Sequence, residues 1–289
     1  MIYGKIGLMR KKLKPIVVIG FFLTFFAIIF ISGVYGNRAT AGKETTITQS
    51  NTNPTSIETI PSSSYYITNA LEMKPIIDVS AWQRPSEIDY DTLSQNISGA
   101  IVRIQSGSHT KNENTATDEN GLDKAFDTHI KEFQARNIPV AVYAYVTGNS
   151  IDSMKEEARS FYEAANKYNP TFYWLDVEEH TMDDMNGGVE AFRQELESLG
   201  AKNIGIYVGT YFMEDHSINV DKFDAVWIPT YGVDSGYYNA APSTDLDYDL
   251  HQYTSRGYVN GFENYLDLNI ITTLKDPNKV YRKLFTTPE

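Results

Sequence analysis

From Pro75 onward the apolar positions of the chain switch repeatedly between two periods. Short β-rich apolar runs stand at Ile76 to Val79, Ala100 to Ile104, Pro139 to Val146, Phe172 to Val177, Ile204 to Val208, Ala225 to Ile228 and Leu250 to Tyr253. Helical patterns lie between them. Val189, Phe192, Leu196 and Leu199 follow i, i+3, i+7, i+10 and stop at Gly200. Met154, Ala158, Phe161 and Ala165 form a second stripe, which the pair Ser153 and Glu156 is expected to open as a capping box. Phe126, Ile130 and Phe133 form a third. Strands alternating with amphipathic helices predict a parallel sheet covered by helices, and about 200 residues of this pattern favour a closed β/α barrel over an open sheet. After Ala225 the helical patterns fade, so the barrel is expected to close with strands and loops.

Upstream the pattern is different. Pro15 to Asn37 contains no charged residue, and Ile16 to Ile31 is nearly continuous aliphatic and phenylalanine sequence. That length suits a helix crossing the roughly 30 Å hydrocarbon core of a bilayer. Lys5, Arg10, Lys11, Lys12 and Lys14 precede it, which predicts a cytoplasmic tail over residues 1–15, a transmembrane signal anchor over 16–36 and everything beyond outside the cell. A cleaved signal peptide ending near Ala39-Thr40-Ala41 is the competing reading; its apolar region is usually only about 7 to 15 residues. Residues 37–64 hold 12 Ser or Thr together with Pro54 and Pro61 and show no apolar period, so residues 37–72 read as a flexible extracellular linker. As a coil it reaches ~35 Å. Residues 73–289 remain for the folded domain.

Composition narrows the functions. The five bases of the tail leave 20 bases against 37 acids in the rest of the chain. A surface so acidic is a poor partner for nucleic acid, whose binding depends on neutralising phosphates with Lys and Arg. No cysteine is present, which excludes disulfides, thiolate nucleophiles and Cys-ligated zinc. His109, His129, His180, His216 and His251 show no ligand spacing, and no Gly-x-Ser-x-Gly elbow appears. No metal and no cofactor is expected.

In a β/α barrel, functional side chains stand at the C-terminal ends of strands. Three strand ends here carry acids: Asp78 after Ile77, Asp176 and Glu178 in Leu175-Asp176-Val177-Glu178, and Asp267 in Leu266-Asp267-Leu268-Asn269. Strand alternation turns Asp176 and Glu178 to one face with Val177 on the other. Two carboxylates that close disfavour joint ionisation, so one is expected to keep its proton near neutral pH and serve as a general acid. Aromatic residues gather near the same ends, among them Trp82, Tyr143, Tyr145, Tyr207 and Tyr231, and such rings can stack on the apolar faces of sugars. An isolated Asp at such a position is commonly a turn former or cap, and aromatic residues in strands are commonly packing.

Taken in order, Asp78-Val79-Ser80-Ala81-Trp82-Gln83, Ala100-Ile101-Val102-Arg103-Ile104, Val142-Tyr143-Ala144-Tyr145, Leu175-Asp176-Val177-Glu178, Gln252-Tyr253-Thr254-Ser255 and Asp267-Leu268-Asn269 resemble the family 25 glycosyl hydrolases, the lysozymes of bacteria and phages. The resemblance covers about residues 75–272. It implies an irregular, TIM-like α/β barrel of about five βα units closed by further strands. It implies cleavage of the β-1,4 bond between N-acetylmuramic acid and N-acetylglucosamine in peptidoglycan glycan strands; with the anchor read above, a monomer held at the bacterial cell surface is expected. By position, Glu178 matches the general acid and base, Asp176 its neighbour, and Asp78 and Asp267 further acids of the cleft. Trp82, Arg103, Tyr143, Tyr145, Tyr207, Tyr231 and Gln252 are expected to contact substrate. His251 stands where a Trp is usual, and Pro229-Thr230-Tyr231 replaces an Ala-containing segment. The alternative is a wall-binding module of the same fold without turnover.

Overall fold

The computed structural model describes residues 69–107 and 113–287. The tail 1–15, the span 16–36 and most of the linker 37–72 lie outside the described residues. Among the described residues no helix is long and apolar enough to cross a membrane.

Eight strands close into a barrel in sequence order: β1 (Ile76–Val79), β2 (Gly99–Gln105), β3 (Val140–Tyr145), β4 (Tyr173–Val177), β5 (Ile204–Val208), β6 (Ala225–Pro229), β7 (Leu250–Gly257) and β8 (Leu266–Ile271). β1 to β7 run parallel, while β8 is antiparallel to both β7 and β1. Five helices fill the connections from β1 to β6: α1 (Tyr90–Ser94), α2 (Phe126–Ala135), α3 (Ile151–Ala165), α4 (Met185–Leu199) and α5 (Thr210–Asp215). β6 and β7 are joined without a helix by residues 230–249. The expected five βα units closed by further strands are thus present.

Two differences from the sequence reading have plain physical causes. Helix α3 begins earlier than expected: Ser150 is its N-cap, accepting from the Ser153 backbone, and Ser153 answers by bonding the Ser150 backbone. Ser153 is therefore the third helical residue of the capping box and not its first member. A sixth helix, α6 (Pro277–Phe285), follows β8 although the helical pattern fades after Ala225. Asp276 caps it, Pro277 sits in its first turn, and its apolar side closes the bottom of the barrel.

Strand alternation splits the core into two layers. Outward positions such as Ile77, Val79, Val102, Leu175, Val177, Ile206 and Leu268 pack under the helices, against Phe133, Phe161 and Phe192. Inward positions form a second cluster of Ile76, Ile101, Phe172, Trp174, Tyr207, Trp227, Leu250 and Ile271, sealed below by Val280, Leu284 and Phe285 of α6. The barrel is filled by aromatic rings. Phe172 stacks on Trp174 at 4.9 Å, and Trp174 and Tyr207 each meet Trp227 edge-on, at 5.6 and 4.6 Å. Gly205 makes room for this: a Cβ there would lie 2.4 Å from the Trp174 ring. The bulky floor leaves only the upper barrel for polar inward positions, and that is where the acids stand.

Candidate active site

Asp78, Tyr143, Asp176, Glu178, Tyr207, Trp227, Tyr231, Gln252 and Asp267 line a cavity of about 180 Å³ at the mouth. Asp78, Tyr143, Asp176 and Tyr207 belong to parallel strands and sit toward their C-terminal ends, while Gln252, early in β7, lies opposite Pro229 at the end of β6. Asp267 arrives differently. Because β8 is antiparallel, Asp267 near its start lies at the same rim, directly opposite Asp78 in the pairing register. The reading of Asp267 as the acid at the end of a strand is corrected accordingly.

A chain of hydrogen bonds fixes Asp78 from below. Gln252 Nε2 and Asn269 Nδ2 donate to its Oδ2 at 2.9 and 2.8 Å. Trp227 Nε1 donates to Asn269 Oδ1 at 2.8 Å, which settles which end of that amide faces Asp78. Tyr207 and Tyr231 donate their hydroxyls to Gln252 Oε1 at 2.9 and 2.5 Å and orient that amide in the same way. Asp176 has no such partners. Its Oδ1 is buried and accepts no hydrogen bond.

Crowding of four acids in one mouth moves their protons. Burial pushes the Asp78 carboxyl up to about 6, opposed by the amide donors Asn269 and Gln252. Burial, with Asp78 and Asp234 as neighbouring charges, raises Asp267 to about 8. Asp176 is pushed well above the usual carboxylate range by burial and by Glu178 and Asp78, with Arg103 acting in the opposite direction. Glu178 is raised by burial and by the charge of Glu179. All four carboxyls therefore bind their protons more tightly than free ones, the direction a general acid requires.

The sequence-based site residues fall into two groups. Asp78, Asp176, Glu178, Asp267, Tyr143, Tyr207, Tyr231 and Gln252 are brought together around the cavity. Trp82, Arg103 and Tyr145 are not among its lining. Trp82 is 60% exposed on the loop after β1. Arg103 is engaged internally: its Nε and Nη2 reach Asp123 Oδ2 at 3.0 and 2.9 Å. That same oxygen accepts from Ala81 N at 2.9 Å, so the ion pair also pins the Trp82 loop. Tyr145 donates to Glu179 at 3.2 Å. Sequence alternation would turn Glu179 away from Glu178, but β4 ends at Val177, and the Tyr145 contact keeps Glu179 near enough to raise Glu178.

The residues missed by sequence reasoning are the supports. Asn269 was visible only as the end of a motif, and Asp123 carried no signal at all. His129 on α2 donates from Nε2 to Ser80 O at 3.1 Å while Tyr90 donates to its Nδ1 at 2.7 Å, which braces the end of β1.

Comparison with known proteins agrees with this geometry. The family model described as glycosyl hydrolases family 25 matches residues 77–262. A solved structure from Streptococcus pneumoniae, described as the virulence factor GHIP, a glycosyl hydrolase 25 participating in host cell invasion, is 58% identical with a TM-score of 0.73; the match covers 78% of this chain and 98% of that one. The catalytic domain of the endolysin ply40 from bacteriophage P40 of Listeria monocytogenes is 25% identical, with a TM-score of 0.61 over 72% of this chain and 97% of that one. The bacterial lysozyme of Streptomyces coelicolor, at 19% identity and a TM-score of 0.59 over 75% of this chain and 99% of that one, shares the fold. Among curated proteins no match was found.

Proposed function

The chain belongs to glycosyl hydrolase family 25, and from that premise we propose that it is a lysozyme that cuts the β-1,4 bond between N-acetylmuramic acid and N-acetylglucosamine in peptidoglycan. The observation that carries this reading is the joint placement of Glu178 and Asp176 in the lining of one pocket, with the Glu178 carboxyl raised by burial. Lysozyme and endolysin relatives of the same fold support it.

In the proposed reaction Glu178 gives its proton to the glycosidic oxygen as the bond from that oxygen to the anomeric carbon breaks. The carbonyl oxygen of the muramyl 2-acetamido group attacks the same carbon, forming a cyclic oxazolinium. Asp176, which lines the same pocket, orients the acetamido group for this attack. Water then opens the ring while Glu178 takes back a proton, and the anomeric configuration is retained. The competing scheme uses Asp78 or Asp267 as covalent nucleophile. Asp78 is already held by two amide donors, whereas Asp176 in the same lining is not, which favours the first scheme. A 2-fluoro muramyl donor separates the two: an adduct on either aspartate by intact mass rejects acetamido participation.

Product analysis tests the function itself. Purified peptidoglycan digested with the protein, reduced with borohydride and examined by mass spectrometry is expected to release fragments ending in muramitol. Fragments ending in glucosaminitol reject the assigned bond, and binding without release identifies a wall-binding module.

We further propose that residues 16–36 anchor the protein in the bacterial membrane, with 37–72 as tether and the barrel outside. The uncharged run flanked by five bases supports this. Membrane fractionation with N-terminal sequencing tests it: a wild-type product beginning near Gly42 in the medium contradicts a retained anchor.

A further inference from the structure

The turn between β7 and β8 carries two exposed aromatic residues above the mouth. Tyr258 is 65% and Tyr265 50% exposed, their ring centroids lie 4.9 Å apart, and their hydroxyls are hydrogen-bonded to each other. The β7–β8 ladder runs out to Gly257 opposite Leu266, so the two tyrosines are the next pair beyond it. Along β8, Leu266 and Leu268 face the outer core, whereas Asp267 and Asn269 face the mouth. Tyr265 continues that second series, about 7 Å beyond Asp267 at the rise of a strand.

The pair is braced on the Arg256 side and stands in register with the pocket. The Arg256 guanidinium lies 6.0 Å from the Tyr265 ring centre and 3.6 Å from Asp234. Asp234 is itself fixed by Thr254 and the Ser255 hydroxyl and backbone. On its other side Tyr258 borders a second cavity of about 520 Å³, which shares no lining residue with the catalytic one and presents Asn260, Glu263 and Glu87.

The turn does not need these rings to hold its shape. Asp89 N donates to Gly261 O at 2.8 Å, and Ile88 and Phe262 form a bridge, so the turn is already joined to the loop after β1. Two rigid rings left in solvent, beside amide and carboxylate acceptors, match the chemistry of a sugar: an apolar C–H face edged by hydroxyl donors. Tyrosine offers such area with little entropy to lose on binding. An anionic polymer is disfavoured by Glu87 and Glu263.

We propose that Tyr258 and Tyr265, with the cavity beside Tyr258, form a distal glycan subsite that holds sugars beyond the pair being cleaved and gives the protein a preference for long glycan strands. This rests on the glycan-hydrolase reading above. The test compares the full-length wild type, the Tyr258→Ala/Tyr265→Ala variant and the Tyr258→Phe/Tyr265→Phe variant on polymeric peptidoglycan and on a soluble disaccharide that supplies only the pair being cleaved. In the alanine variant the polymer-to-disaccharide ratio of kcat/KM is expected to fall about fivefold or more, through KM. The phenylalanine variant, which keeps both rings, is expected to retain most of that ratio. Equal ratios in all three overturn the subsite. If circular dichroism shows the alanine pair misfolded, Tyr258→Ser alone replaces it. Cosedimentation with undigested peptidoglycan gives a second reading that needs no turnover: several-fold weaker retention of the alanine variant supports the subsite, and undiminished retention rejects it. A wild type that binds through the tyrosines but hydrolyses nothing refutes the hydrolase reading and leaves the subsite standing.

Discussion

Asp78 on β1 and Asp267 on β8 are direct cross-strand partners, two carboxylic acids facing each other at the rim of one barrel. Like charges in that position are unfavourable, so the pair resists full ionisation. The two differ in their support. Asp78 receives two amide donors and is raised to about 6; Asp267 is raised to about 8 with the charges of Asp78 and Asp234 against it.

Raised carboxyl pKa values make the fold sensitive to alkali. A group that binds its proton more tightly when folded contributes stability below the unfolded value, and that contribution is lost as pH rises through the folded value. For Asp267 the window runs from about 4, the unfolded value, to about 8. Asp267→Asn is expected to raise the melting temperature at pH 8.5 by about 2–4 °C, corresponding to roughly 1 kcal/mol for a domain of this size. At pH 4 it is expected to change little. Thermal melts of both proteins across this range check it, and a gain at pH 4 equal to that at pH 8.5 contradicts the assignment.

Asn269 is expected to matter more than its place at the end of a motif suggests. Asn269→Leu removes a donor to Asp78 and strands the buried Trp227 indole N–H. An unsatisfied buried donor costs about 1–3 kcal/mol. Loss of the amide also removes an interaction that lowers Asp78, so Asp78 is expected to titrate above its present value of about 6. Calorimetry reads the first effect. Carbon-detected NMR titration of the Asp78 carboxyl reads the second, and a downward shift contradicts the network.

The legibility of this site follows sequence separation. Asp176 stands near the end of β4 and Glu178 just past it, two residues on, so alternation alone turned them to one face, and Val177 does pack in the outer core. The strands were legible for the same reason, each being a local run. Directions and partners were not. Nothing in Leu266-Asp267-Leu268-Asn269 says that β8 runs against β1, and the bond from Asn269 to Asp78 spans 191 residues. The pairing of Arg103 with Asp123, 20 residues away in an irregular connection, gave no sign in the sequence. Helix α6 did carry local signals. Asp276 before Pro277 and the i, i+4 pair Val280 and Leu284 mark a capped amphipathic turn, too short to stand out beside the longer helices.

Helix α6 is also where a substitution remote from the acids is expected to be costly. Leu284 is fully buried among the inward core residues, and Gly99 approaches the neighbouring Phe285 so closely that a Cβ would lie 2.8 Å from its ring. The packing there has no slack on one side, so a cavity is not expected to collapse. Leu284→Ala should therefore cost about 2–5 kcal/mol. Urea denaturation measures this, and a loss below about 1 kcal/mol shows that α6 does not close the barrel as described.

The central claim is that the acid at the mouth, Glu178, delivers the proton that breaks the glycan strand. Glu178→Gln keeps the shape of the side chain and removes the transferable proton. Reducing-end release from purified peptidoglycan, measured beside cosedimentation with the same material, is the most direct test. The account predicts a loss of turnover of about 100-fold or more with wall binding and melting temperature close to wild type; turnover within a few-fold of wild type would contradict it.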